Sequence, residues 1–252
     1  MNGRQDLENE RAWYQDNPWI RPKHPLMRWP FTDPARHKAA YESARLSVRR
    51  VLDRELGDKQ VQRALVAPCG PHADQDILHG LAREFHGIDI SARALEQCPD
   101  YVITREADIQ SSGYDNDFFD LVASLLIFHH LHRVGFAPFL REFHRVLRPG
   151  GRLVILEPSD LYPVAQLCKV GRRIFGNISG HVPDEAPLRP SRLSLAIQST
   201  GFAIQRFRAV SFCHNRMPLP VQWLTEHALR PLEQRYPFNH MGWMCMWLVS
   251  KV

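Results

Sequence analysis

Apolar positions along this chain follow two alternating rhythms. From about residue 60 onward, short continuous apolar runs alternate with stretches whose apolar residues fall three and four apart. The runs are too short for helices and too continuous for half-exposed strands. They read as strands buried on both faces, at 63–67, 85–89, 101–104, 118–126 and 152–156, with two more at 202–212 and 241–252. The three-and-four spacing predicts helices over 74–79, from Ser91 to the stop at Pro99, and over 136–147, 159–175 and 191–200. In 136–147, Phe136, Phe139, Leu140, Phe143, Val146 and Leu147 share one stripe. Strands alternating with helices in this way give a parallel sheet with crossovers, a doubly wound α/β fold with helices on both faces.

Before residue 60 the pattern differs. Asp33 can cap, and Pro34 can open, a helix carrying Tyr41, Ala44, Val48, Val51 and Leu52 on one face and ending near Gly57. Residues 1–33 have no period but hold Trp13, Trp19 and Trp29 among prolines, aromatics that need something to pack on. The expected organisation is an N-terminal extension and helix at 1–58 and one domain at 59–252. Cap insertions interrupt that domain at about 159–190 and 213–240. The second insertion is too apolar for disorder and is expected to help cover a ligand cleft.

Composition narrows the classes. With 44% apolar and 23% charged residues, the 252-residue chain is an ordinary globular protein. The net charge of +5 would admit a nucleic-acid partner, but Arg45, Arg49 and Arg50 sit at helical spacing with Asp53 and Glu55 nearby. A solvated helix face is the better reading, so no nucleic-acid partner is expected. The five cysteines form no C-x-x-C pair, and no leader opens the chain, which points to free thiols in the cytoplasm and to no metal site. No apolar run suits stable membrane insertion.

In an open parallel sheet, ligands bind beyond the carboxyl ends of the strands. Gly70 follows the first strand in a tight turn, Asp89 ends the second, Asp108 follows the third, and 125–130 follow the fourth. An acid placed like Asp89 can accept both hydroxyls of a ribose. It would face a cleft and support no core, so its loss should cost little stability. A dinucleotide would want three glycines, whereas only Gly70 is present, with Pro68 removing one amide. A nicotinamide cofactor is therefore disfavoured.

In order, Val66-Ala67-Pro68-Cys69-Gly70, Gly87-Ile88-Asp89-Ile90-Ser91, Ala107-Asp108-Ile109, Phe119-Asp120-Leu121-Val122, Phe128-His129-His130-Leu131 and Arg145-Val146-Leu147-Arg148-Pro149-Gly150-Gly151 resemble the motif series of class I S-adenosylmethionine-dependent methyltransferases. The resemblance covers roughly residues 60–158. It implies a seven-stranded, mostly parallel sheet with the last strand antiparallel, S-adenosyl-L-methionine as cofactor, and methyl transfer to an oxygen or nitrogen of a small-molecule acceptor. It would give the ribose to Asp89, the adenine to Ile90, Asp108 and Ile109, and the methionine portion to the backbone of Ala67, Pro68, Cys69 and Gly70. Leu125 would lie beside the sulfonium. His130 and His129 are the candidate bases. Two departures stand out: Val66 replaces an acid and His72 a glycine. They keep open a second reading, a non-catalytic methyltransferase-like partner subunit.

Overall fold

The buried runs pair into one sheet. Its strands are β1 (Val61–Val66), β2 (Ala82–Asp89), β3 (Val102–Glu106), β4 (Phe119–Leu125), β5 (Leu147–Pro158), β6 (Phe202–Ser211) and β7 (Met244–Lys251). Their order is β3-β2-β1-β4-β5-β7-β6. β1 to β5 run parallel, while β7 is antiparallel to both β5 and β6. This is the expected doubly wound sheet with its last strand reversed. The chain order turns back between β1 and β4, which makes the carboxyl ends of those two strands the switch point where ligands bind. The computed structural model describes residues 34–57, 60–70, 74–131, 134–175, 186–214 and 217–252. The Asp33 cap, the aromatics of 1–33 and the His72 position lie outside the described residues.

Every residue of β4 is buried, which explains its unbroken apolar run. Because successive strand residues face opposite sides, the sheet has two cores. Val66, Leu121, Ala123, Val154 and Leu156 meet Ala44, Val48 and Leu52 of helix α1 (Pro34–Leu56). Leu65, Val122, Leu153 and Ile155 belong to the opposite core, with Phe139, Phe143 and Val146 of helix α4 (Ala137–Val146) and Leu193 and Ile197 of helix α6 (Pro190–Ser199). Helices α2 (Asp74–Leu78) and α3 (Ala92–Leu95) are short crossovers, and α5 (Pro163–Phe175) follows β5.

α1 runs against the direction of β5. Near its end the Glu55 carbonyl accepts from Arg152 Nη1 at 2.6 Å, whereas Tyr41 lies edge-on to Trp243, 4.9 Å away, beyond the carboxyl end of β5. Arg49 pairs with Asp53 at 2.7 Å, as the spacing suggests, but it also donates to the Ile77 and His79 carbonyls, and Arg45 leaves the expected solvated face altogether. Arg45 is only 7% exposed and pairs with the buried Asp74 at the start of α2. The reason is tertiary: α2 packs across this stretch of α1 and supplies an acid that no local spacing could show.

Two boundaries also shift. The 148–151 stretch, between the expected helix at 136–147 and the expected strand at 152–156, is flanked by pairing on both sides. Leu147 pairs with Phe119 and Arg152 with Leu121, so four residues bulge from β5 opposite one residue of β4. The last strand starts at Met244 rather than 241. Ser211 pairs with Met244, so the 212–243 connection leaves and rejoins the sheet at its carboxyl edge. It contains helix α7 (Leu219–Leu229).

Candidate functional site

The carboxyl edge at the switch point is built from three turns. After β1 the chain passes through Ala67 and Cys69, both buried, with Pro68 and Gly70 half-buried. The Cys69 amide donates to the Ile88 carbonyl at 2.8 Å and the Ala67 amide to the Ala123 carbonyl at 2.9 Å, so the turn is hung between β2 and β4. Cys69 can lie flat here because Gly87 has no side chain. A Cβ on Gly87 would stand 2.4 Å from Cys69 Sγ and 3.0 Å from Val102 Cγ1. The Cys69 thiol meets Cys98 Sγ at 2.8 Å, and burial pushes its pKa far up.

Asp89, at the end of β2, is 8% exposed. Its Oδ2 accepts from the Gly70 amide at 3.0 Å and its Oδ1 from the Ser91 amide at 2.9 Å. Ile90 follows at 38% exposed. Among the described residues, a Cβ on Gly70 would meet only Asp89 Oδ2, at 3.8 Å, so none of them crowds the turn beside the carboxylate. An acid in this position is of the kind that accepts ribose hydroxyls. Uncrowded backbone, an acid and an exposed isoleucine in a row fit the nucleoside of S-adenosylmethionine.

The other expected residues divide. Asp108 caps the 3-10 turn Ile109–Ser111 by accepting from the Gln110 amide at 2.8 Å, the ordinary structural use of such an acid. Ile109 and Leu125 are buried in the two cores rather than open to the edge. Val66 is buried under α1 and offers no polar group.

After β4, Leu126 adopts φ 65°, and Phe128–His130 form a 3-10 turn. Four donors converge there on Glu157, a fully buried acid near the end of β5 that the sequence analysis did not nominate. Oε1 accepts from the amides of Ile127 (2.8 Å) and Phe128 (2.6 Å), and Oε2 from the His129 amide (3.2 Å) and His129 Nδ1 (2.7 Å). A carboxylate only accepts, so Nδ1 carries the hydrogen. His129 is thus buried and anchored, while the half-buried His130 ring stands 4.0 Å from it. The signal for Glu157 was available: it is an acid closing an apolar run, as Asp89 is.

Tyr41, Trp243, His214 and Tyr162 form an aromatic wall beyond the end of β5, with successive ring centroids 4.9, 5.6 and 6.1 Å apart. The wall joins α1, the 212–243 connection and the start of α5. Among the described residues no cluster of three or more His, Cys, Asp or Glu is placed to hold a metal, and no helix is long and apolar enough to cross a membrane. A surface hollow lined by Gly135, Phe136, Arg192 and Ser199, between α4 and α6, includes none of the expected site residues.

Comparison with known proteins agrees with this geometry. Residues 65–155 match the family model for a methyltransferase domain. A stretch of 84 residues is 38% identical to the uncharacterized protein YafE of Escherichia coli K12, spanning 32% of this chain and 40% of that protein's length. Among solved structures, an S-adenosylmethionine-dependent methyltransferase of Thermotoga maritima superposes with a TM-score of 0.63 at 13% identity, over 98% of this chain and 96% of the other. A second, from Mesorhizobium loti, gives 0.54 at 19% identity over 80% and 96%. Residues 65–155 thus match a methyltransferase domain, for which S-adenosylmethionine is the implied cofactor, and the sheet has the fold seen in S-adenosylmethionine-dependent methyltransferases.

Proposed function

We propose that the chain transfers a methyl group from S-adenosylmethionine to an oxygen or nitrogen of a small-molecule acceptor. The observation that carries this reading is the Asp89 carboxylate joined to the Gly70 amide at the switch point, where none of the described residues crowds the turn. When bound, the cofactor supplies a methyl already activated by its sulfonium, so the protein's work is mainly positioning. The Gly70 turn and Asp89 hold the nucleoside. Ile90 packs against the adenine, with Asp108 and Ile109 bordering it through the loop after β3. Leu125 supports the turn beneath the reacting end.

The aromatic wall of Tyr41, Trp243, His214 and Tyr162 bounds the acceptor side. The insertions at about 159–190 and 213–240, with the extension at 1–58, act as caps over it. His130 takes the acceptor proton, and His129, fixed by Glu157, holds the turn that carries it. The acceptor is a metabolite-sized molecule rather than a nucleic acid, and the protein works in the cytoplasm.

The test is to incubate the protein with methyl-labelled S-adenosylmethionine and fractionated small-molecule extract, following label in product and release of S-adenosylhomocysteine. Label appearing only in polymeric nucleic acid, or in no fraction at all while the cofactor binds, overturns the acceptor assignment.

A further inference from the structure

Five arginines gather beside β6, the edge strand of the sheet, well away from the cofactor turn after β1. Arg206 and Arg208 stand two apart on β6 and so share one face. Arg206 Nε reaches Glu55 Oε1 of α1 at 2.5 Å, and Arg208 Nη2 pairs with Glu233, which follows the 3-10 turn Arg230–Leu232. The Ala209 amide donates to the Glu233 carbonyl at 3.0 Å and the Glu233 amide to the Arg230 carbonyl at 3.3 Å, which fixes Arg230 beside β6. Arg54 precedes Glu55 in α1, and Arg50 lies one turn back on the same helix face.

The charges in this cluster do not balance. Glu55 is taken by Arg206 and Glu233 by Arg208, while Glu226 of α7 is bound to Ser211 Oγ at 2.5 Å and acts on Arg50 only through space. Five guanidinium groups against these three carboxylates leave two positive charges over. Among the described residues the Arg50 side chain donates only to Ser47 Oγ, at 2.5 Å, and those of Arg54 and Arg230 make no hydrogen bond or ion pair. The excess surrounds Arg208, whose side chain is only 13% exposed. Burial lowers its pKa, and Arg54, Arg230, Arg206 and Arg50 push the same way. Self-repulsion of this kind opposes the compact state. Arg54 and Arg230 are both exposed, so no packing demand calls for a cation at either position.

We propose that Arg50, Arg54, Arg208 and Arg230 form a binding site for a phosphate group, carried by a soluble phosphomonoester or by a phospholipid head. A phosphomonoester bears about 1.5–2 negative charges at neutral pH, which matches the excess. A planar guanidinium suits it because it can donate two parallel bonds to phosphate oxygens. The cluster rings one half-buried cation instead of forming a stripe, so it fits a single phosphate and not a nucleic-acid backbone. Arg54 lies beyond Tyr41 along α1 by about 20 Å at the helical rise, which separates the site from the aromatic wall. The ligand is therefore a second one, neither cofactor nor methyl acceptor. Since the arginines belong to α1, β6 and the turn after α7, binding clamps the 212–243 connection onto α1.

Titration calorimetry with inorganic phosphate and glycerol 3-phosphate tests this. Wild type should bind both saturably, and Arg54→Gln and Arg230→Gln should each weaken binding at least tenfold. Thermal melting at low ionic strength gives a readout that a merely structural role would not. Without phosphate both variants should melt at or above the wild-type temperature, because a repelling charge is gone, and added phosphate should raise only the wild type. Phosphate excluded from protein surfaces stabilises folded chains in general, so a rise of equal size in wild type and variants overturns the site. A variant that melts below wild type without phosphate also overturns it, by making the arginine part of the fold. Sedimentation with vesicles of phosphatidic acid in phosphatidylcholine, lost in Arg54→Gln, assigns the phosphate to a lipid head, whereas saturation by glycerol 3-phosphate without sedimentation assigns it to a soluble ester. Binding of a duplex oligonucleotide with no saturable binding of glycerol 3-phosphate overturns the proposal in favour of a nucleic-acid surface.

Discussion

Asp89 Oδ2 accepts the Gly70 amide across 3.0 Å, so the carboxylate proposed to meet a ribose also holds the turn beside it. Its other oxygen accepts the Ser91 amide at 2.9 Å. This corrects the expectation that its loss would leave the fold untouched. Asp89→Ala should weaken binding of S-adenosylhomocysteine by more than tenfold, the value of a charge-assisted pair at about 1.5–3 kcal/mol. It should also lower stability by about 1–3 kcal/mol, because two partly buried amides lose their acceptor. Asp89→Asn keeps one acceptor oxygen and should fall between. Calorimetry and thermal melting check both parts, and unchanged affinity in a folded Asp89→Ala would remove this residue from the site.

Much of this arrangement was legible in the chain, and what was not has a common cause. The β4 run, the stripe of α4 and the acids closing β2 and β5 are local patterns, each visible because burial on one or both faces dictates residue type over adjacent positions. Arg45 and Asp74 are 29 residues apart and belong to two helices. Each alone reads as an ordinary charged helix residue, and only their packing shows that the pair is buried. Leu125 and Ile109 are buried in the two cores, a degree of burial that their position after a strand does not reveal.

Gly87 should tolerate no side chain while Cys69 stays as it is. An added Cβ would lie 2.4 Å from the Cys69 sulfur. Gly87→Ala should therefore cost about 1–3 kcal/mol as an overpacked position. Shortening the opposing side chain makes room, so Cys69→Ala with Gly87→Ala should recover part of that loss, a coupling expected of residues in contact. Additive melting shifts in the double variant would show that the clash lies elsewhere, for instance at Val102 Cγ1, 3.0 Å away.

The buried thiols should be inert. Burial pushes Cys213 and Cys245 up to about 12 and Cys69 higher still. The thiolate is the reactive form, and a raised value leaves almost none of it at pH 8. Iodoacetamide at pH 8 should leave these three cysteines unmodified in the folded protein and label them all in urea, as read by peptide mass spectrometry. Rapid native labelling of Cys69 would mean that the cofactor turn opens to solvent.

Glu157 should matter more than any histidine it touches. Its carboxylate gathers three backbone amides and His129 Nδ1 at 2.6–3.2 Å, with no exposed surface of its own. The amides belong to the turn after β4, where Leu126 already sits at φ 65°, a backbone region that a leucine adopts at a cost. Glu157→Gln replaces one accepting oxygen by a donor that faces donors, and should cost about 1.5–3 kcal/mol, the range for bonds to a charged group. Glu157→Ala leaves the buried donors unsatisfied and adds a cavity, so it should cost more. The damage should be local. Hydrogen exchange should show lost protection at the amides of Ile127, Phe128 and His129, while those of β4 and β5 stay protected. Because His130 rides on the same turn, methyl transfer in Glu157→Gln should slow through kcat, with affinity for S-adenosylhomocysteine within about twofold of wild type, since the variant loses no contact to the nucleoside. Protection at 127–129 that survives the substitution would mean that the 3-10 turn is held by its packing on Phe136, 5.7 Å from Phe128, and not by the buried acid.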